Sequence, residues 1–322
     1  MKKRLTAIAC MMAIIATTKA APASNTVEIV YNGTTATVSV AANISSYITD
    51  KSNGSSHVKL VQSASVNDAI GEITYILSGS SDDGEFYLDG SYKTTVELNG
   101  LTLTNPSGPA VNIQDGKRVK VKLTEGTTST LSDGKNDNYN GCLHSKGHTE
   151  FRGKGTLNIK GNSKHAIYSK EYIQLKNSVI NISGAVKDGI HCKEYFFMES
   201  GTVNITSAGD DGIQVEQDTN ATITGATVDH EDENSGNFYQ EDGKLFISGY
   251  EGKAIKADGA IKLTGGSRNF TIDDTETAIS SLQNDTTENT EYYDLNGHKV
   301  KTPVKGIYII KQGNKCYQRY YR

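Results

Sequence analysis

Two short runs, "KDGI" and "GDDGI", place Asp188 and the pair Asp210 and Asp211 just before isoleucines that stand 23 residues apart. Carboxylates gathered this way offer the several oxygen ligands, at about 2.3–2.6 Å, that a hard cation such as calcium takes. Asp-Gly also makes a tight turn for backbone reasons alone, so the runs carry a structural reading beside the metal one. A second set of residues follows in "CLHSK", "AIYSK", "GIHCK" and "GIQVE". One position supplies His144, Tyr168, His191 and Gln214, and two residues on come Lys146, Lys170, Lys193 and Glu216. Lysines repeated in one row repel unless an anion or neighbouring acids relieve them, although an exposed lysine row also blocks unwanted strand addition. Rings in the adjoining row can stack on sugars and donate hydrogen bonds, or simply stabilise a sheet. A zinc site shared by His144 and His191 is disfavoured, because two repeat intervals separate them and ligands must approach to about 2 Å.

These side chains share a ligand only if the chain coils. The four segments begin at Cys142, Ala166, Gly189 and Gly212, in steps of 24, 23 and 23. An independent column, Asn158, Asn181 and Asn204, repeats at 23, and a looser apolar one contains Phe151, Ile173, Phe196 and Ile261. A period near 23 leaves room for three short strands and their turns and none for a crossover helix, which predicts one rung of a triangular solenoid. The fold expected is therefore all-β: a right-handed, single-stranded parallel β-helix. Period-2 alternation turns Leu143, Ile167, Ile190, Ile213 and Ile255 inward, with Ser145, Ser169, Cys192, Val215 and Ala257 two positions on. The outward columns then continue to Lys256 and Asp258, with side chains about 4.8 Å apart. The Asn column reads as a hydrogen-bonding ladder.

The composition agrees: 32 Gly, 17 Tyr, 4 Pro and no Trp favour strands and turns. Residues 1–23 carry Lys2, Lys3 and Arg4, then an apolar run from Leu5 to Ile15, then small residues, the order of a secretory signal. The apolar run falls short of the roughly 20 residues that span a bilayer, and no later segment is longer. Loss of that leader removes three cations and Lys19, moving the formal charge from -4 to -8, which argues against nucleic acid as a partner. Cys142, Cys192 and Cys316 then remain. An odd number makes no closed disulfide framework, and two rungs of separation, about 9.5 Å, keep Cys142 from Cys192.

Residues 24–103 read as β structure that caps and starts the solenoid, 104–274 as its main body, 275–290 as a polar linker and 291–322 as a small β module. The run "DHEDENSGNFYQED", within Thr227 to Gly243, breaks the period and reads as a long inserted loop, and "SDGKNDNYNG" before Cys142 reads as a shorter one.

The stretch "VKDGIHCKEYFFMESGTVNITSAGDDGI", with "YILSGSSDDGEFYLDG", "VELNGLTLTN" and "LTEGTTSTLSDG", resembles the bacterial carbohydrate-binding β-helix proteins that share architecture with calcium-dependent pectate lyases. The resemblance covers roughly residues 70 to 270. It implies bound calcium, carried over only onto Asp188, Asp210 and Asp211, and affinity for acidic, polygalacturonate-like chains without established cleavage. The preceding coil departs from the pattern, with Lys164 and His165 where acids would stand, and so does the coil after the insertion, with Gly252 and Lys253. The tail "YDLNGHKV…GIYIIKQGNK" resembles C-terminal sorting domains of exported Bacteroidetes proteins, which implies delivery to the cell surface or beyond.

The leading expectation is an exported, non-catalytic protein that holds a uronate-containing polysaccharide through calcium and the ligand-binding rows. The runner-up is a lyase working by β-elimination with Lys193 as base, and behind it stands a purely structural surface protein or adhesin.

Overall fold

The computed structural model describes residues 20–218, 235–277, 291–295, 298–301, 305–312 and 315–321. The expected leader thus lies mostly outside the described residues, as does the core of the long insertion. Three columns of parallel strands wind around one apolar interior. The first face stacks Thr94–Leu98, Val119–Leu123, Thr149–Gly153, Ile173–Leu175, Tyr195–Met198, Asn237–Gln240 and Ile261–Leu263. The second stacks Thr102–Asn105, Thr128–Asp133, Thr156–Gly161, Val179–Ala185, Thr202–Ile205, Lys244–Ile247 and Ser267–Arg268. The third runs from His57–Gln62 through Glu85–Asp89, Val111–Ile113, Gly141–Ser145, His165–Ser169, Ile190–Lys193, Ile213–Glu216 and Ile255–Ala257 to Thr275–Thr277. This is the parallel β-helix that the period demands, with the right-handed crossover that twisted strands impose. Among the described residues there is no α-helix, and no helix is long and apolar enough to cross a membrane.

Parallel pairing already starts at Thr26–Asn32, which lies beside Ile73–Ser81. Two antiparallel strands, Thr35–Val40 on Thr26–Asn32 and Ile48–Asp50 on His57–Gln62, cover that end. Such capping matters because a bare first rung would offer its unpaired N–H and C=O groups to any passing strand.

The interior follows the alternation. Leu143, Ile167, Ile190, Ile213 and Ile255 are all at most 1% exposed, and so are Ser145, Ser169, Cys192, Val215 and Ala257. Each large aliphatic side chain buried this way contributes about 1.5–3 kcal/mol. Cys142 and Cys192 are buried free thiols that fill this packing.

One loose register is fixed and two sequence expectations are corrected. Phe151 pairs with Leu175, whereas Ile173 pairs with Thr149 on one side and Phe196 on the other. The turn between the third and first faces keeps its length, so Thr149 takes an inward slot, fully buried, its hydroxyl donating to the Gly147 carbonyl at 3.0 Å. The stretch up to Gly243 is not all loop either. Asn237–Gln240 is a strand in register with Tyr195–Met198, anchored by Phe238, whose ring lies parallel to Phe196 at 5.0 Å. Finally, Thr275–Thr277 pairs with Ile255–Ala257 and extends the stack into the stretch expected to be linker. Residues 278–290 lie outside the described residues. At the C-terminal end, Glu291–Tyr293, Lys299–Val300, Gly306–Gln312 and Lys315–Tyr321 form an antiparallel four-stranded sheet.

Candidate functional site

The acids and the lysines lie on one side of the molecule, at the third face and the turn that enters it. Register places His144, Tyr168, His191, Gln214 and Lys256 in one column. Lys193 is beside Glu216 in the next. The turn before the face has its own column, in which each side chain caps the backbone of the coil that follows. His165 Nδ1 accepts from the Asp188 N–H at 3.2 Å, Asp188 Oδ1 from the Asp211 N–H at 3.1 Å, and Asp211 Oδ1 from the Lys253 N–H at 2.7 Å. A buried N–H left unpaired costs about 1–3 kcal/mol, so this position holds acceptors for a structural reason. The glycines after these acids serve close packing. A Cβ on Gly189 would lie 2.8 Å from the Gly212 carbonyl oxygen, and one on Gly212 would lie 2.4 Å from Ile247.

Capping uses one oxygen of each carboxylate and leaves the other for chemistry. Asp188 is fully buried, and its Oδ2 faces His191 Nδ1 at 2.8 Å and His165 Nδ1 at 3.2 Å. Burial alone would raise its pKa, but the imidazoles that face it, His191 above all at 2.8 Å, outweigh burial and hold it well below the usual carboxylate range. Asp211 is 1% exposed, and its Oδ2 has no hydrogen-bond partner; the ammonium of Lys256 stands 3.6 Å away. Burial pushes the Asp211 carboxyl up, against the Lys253 N–H and the charge of Lys256. Asp210 is exposed beside it, and ligand oxygens of Asp188, Asp210 and Asp211 all fall within 4.8 Å of one another. The three acids singled out in the sequence are therefore brought together. Their donor set suits a hard cation, given one buried oxygen without a hydrogen bond and a Gly252 whose Cβ would otherwise fill the space at Asp210 and Asp211.

A continuous line of polar contacts ties the acids to the lysine row. Lys193 Nζ stands 3.4 Å from Glu216 Oε2, which stands 3.5 Å from His191 Nε2, and His191 Nδ1 meets Asp188. The hydrogen bond from His191, with the charges of His191 and Lys193, pulls Glu216 down to about 2 against the opposing effect of burial. Burial presses His191 toward its neutral form, but Asp188 and Glu216 prevail and raise its pKa. Gln214 Nε2 donates to the other oxygen of Glu216 at 3.4 Å.

The ring column differs from its sequence picture. His144, Tyr168 and His191 point away from the interior, yet each is 8% exposed or less. Their faces cover one another, His144 on Tyr168 at 5.1 Å and Tyr168 on His191 at 5.4 Å, with Tyr139 edge-on against His144. Burial, with Lys146 and Lys164 near, depresses His144 to about 4. The rings thus form a floor, without the open face on which a sugar would stack. Lys146 and Lys170 are exposed on its flank, while Lys193, Gln214 and Glu216 are half-buried. The sequence reading missed His165 as a participant, treating it as a departure from the acid pattern. Its signal was its place exactly one interval of 23 before Asp188.

A row of charged and hydrogen-bonding side chains along one face of a parallel β-helix defines the class: a solenoid with a polar, ligand-sized surface. The comparisons with known proteins make that class specific. A family model described as carbohydrate-binding domain-containing protein matches residues 62–307, more than half of the chain, and the chain belongs to that family. A relative of the same description from Acetivibrio thermocellus is 26% identical over 103 residues, which cover 29% of this chain and 36% of the relative. The chain thus spans about a third of that relative's length. Among solved structures, that of the polysaccharide lyase-like protein from C. thermocellum, a gadolinium derivative, superposes with a TM-score of 0.56 at 19% identity. The match covers 78% of this chain and 99% of that one, and at this identity it speaks for the fold alone.

Proposed function

We propose that this protein is exported and binds an acidic, uronate-containing polysaccharide at its third face, with calcium held by Asp210 and Asp211 next to Asp188, and without cleaving it. One observation carries the reading: in a carbohydrate-binding family, a buried carboxylate oxygen of Asp211, with no hydrogen bond and only the Lys256 ammonium at 3.6 Å, lies beside an exposed acid on the same face as a row of lysines. Calcium would bridge carboxylates of protein and glycan, which lets an acidic chain hold an acidic polymer. Lys146 and Lys170 would neutralise uronate groups that the metal does not reach, and Lys193, Gln214 and Glu216 would offer hydrogen bonds at the rim. The rings of His144, Tyr168 and His191 support this surface from beneath. Lys193 is engaged by Glu216 at 3.4 Å, so action as a β-elimination base would first require it to leave that partner.

The test is electrophoresis through gels containing polygalacturonate, with calcium and with chelator. Retardation that needs calcium and is lost in the Asp210→Ala/Asp211→Ala double variant is the expected result. Equal mobility of the wild type with and without polygalacturonate removes the reading. Ultraviolet absorbance from unsaturated products, if it grows during incubation with polygalacturonate and calcium, replaces binding alone with lyase activity.

A further inference from the structure

We infer that His165, Asp188 and His191 form a site for a divalent metal of the zinc class, distinct from the calcium reading and sharing with it only Asp188. The three residues come from two successive coils, the two imidazole rings lie 4.5 Å apart between centroids, and each residue is at most 7% exposed. Their donor atoms converge: His191 Nδ1 at 2.8 Å and His165 Nδ1 at 3.2 Å from one oxygen of Asp188. Ligands about 2.0–2.1 Å from one tetrahedral metal stand roughly 3.3 Å apart, so the donors lie close to the spacing of a coordination shell and move apart by a few tenths of an ångström at most to admit the ion.

Hydrogen bonding alone does not balance this cluster. His165 Nδ1 already accepts from the Asp188 N–H. A nitrogen that accepts carries a lone pair and no proton, so it meets the carboxylate oxygen at 3.2 Å lone pair against lone pair. If the nitrogen instead carries a proton toward Asp188, the fully buried N–H of Asp188 loses its acceptor. A cation between the three donors takes up the His165 lone pair together with the Asp188 oxygen and replaces their repulsion with attraction, and the Asp188 N–H gives up His165 as its acceptor when the ion binds. Imidazole nitrogen selects zinc, cobalt, nickel or copper over calcium, which takes oxygen. The outer partner is also in place, because His191 turns Nε2 toward Glu216 Oε2 at 3.5 Å, the carboxylate–histidine arrangement that fixes a metal-binding ring. A metal here would pin one coil to the next at the head of the third face.

The experiment uses the full chain without a histidine tag, stripped with chelator and titrated with cobalt(II), then with zinc. The expected result is a saturable visible band of nitrogen-ligated cobalt at one equivalent, displaced by zinc and unaffected by excess calcium. His165→Ala and His191→Ala should abolish the band, while His57→Ala, on a distant part of the third face, should keep it. Glu216→Gln retains all three ligands and should weaken cobalt binding about 10–100-fold. Melting curves of each variant show that the fold is retained. A wild-type spectrum no different from the aqueous ion, or unchanged binding in folded His165→Ala, overturns the site. The Asp210→Ala/Asp211→Ala variant separates the two readings, since it should lose calcium-dependent glycan retention and keep the cobalt band.

Discussion

Two columns of this solenoid share the same interval of 23 and behave in opposite ways. Asn158, Asn181 and Asn204 form a closed ladder, in which the Asn181 amide donates to Asn158 at 2.9 Å and the Asn204 amide to Asn181 at 2.7 Å. An amide carries both donor and acceptor, so each rung satisfies the next and the column stays neutral. His165, Asp188 and Asp211 offer mainly acceptors, so the backbone N–H of the following coil must donate, which leaves second oxygens over. Asp188 gives its spare oxygen to imidazoles, and that of Asp211 has no hydrogen bond and only the Lys256 ammonium at 3.6 Å. Where a repeat exchanges a self-complementary side chain for an acceptor-only one, it exchanges a staple for a site.

The sharpest way to break this contrast is Asp188→Ala. It removes the acceptor of the buried Asp211 N–H and leaves His191 and His165 facing a void. Breaking a buried ion pair from one side costs about 3–5 kcal/mol. For a chain of this size that corresponds to a fall in Tm on the order of 10 °C, read by calorimetry. A loss no larger than that of an exposed surface change would mean that the column carries no strain of charge.

Acid should separate the columns next. Asp188 and Glu216 have pKa values depressed below their ordinary 3.8 and 4.5, so the stability they contribute is present above those values and is lost as pH falls through the depressed ones. His191 is raised above 6.5, so its contribution is complete below 6.5 and fades as pH rises through its raised value. The line from Asp188 through His191 to Glu216 is therefore strongest between 4.5 and 6.5, while His165, held below 6.5 by burial, adds to the loss of stability on the acid side. Melting temperature should fall on both sides of that window, and Glu216→Gln should flatten the acid limb. Because Asn does not titrate, Asn181→Ala should leave the shape of the curve unchanged.

A smaller and more local effect is expected from Gly252→Ala. The added methyl would lie 2.3 Å from Asp211 Oδ1 and 2.9 Å from Asp210 Oδ1. Asp210 is exposed and can swing away, but Asp211 is tied to the Lys253 N–H at 2.7 Å. Calcium affinity, measured by calorimetric titration, should fall severalfold, with Tm lower by a few degrees at most. Undiminished affinity would place the ion elsewhere.

Much of this was legible in the chain itself. The period fixed the coil, and alternation sorted Ile190 from His191, since inward and outward follow from the pleat whatever the tertiary detail. The same spacing brought Asp188, Asp210 and Asp211 to one corner. What spacing does not reveal is how outward side chains treat each other. The burial of Tyr168 arises from rings stacked above and below it, and the role of His165 arises from a rotamer that turns Nδ1 to the next coil. Pattern also left the register of Phe151 loose by a residue or two, because a buried Thr149 with a bonded hydroxyl can hold an inward slot that apolar matching gives to Phe.

The smallest expected effect tests the neutral side of the contrast. Asn181→Ala removes the central rung, and with it both ladder bonds. Each such bond is worth about 0.5–1.5 kcal/mol net, and Asn181 is half-buried, so water can reach the amides of Asn158 and Asn204 once their partner is gone. Tm should drop by only a few degrees, with calcium and cobalt titrations unmoved. If this variant costs as much as Asp188→Ala, then what matters at these positions is stacking along the coil axis rather than charge. The corner of acids and imidazoles would then be one more ladder.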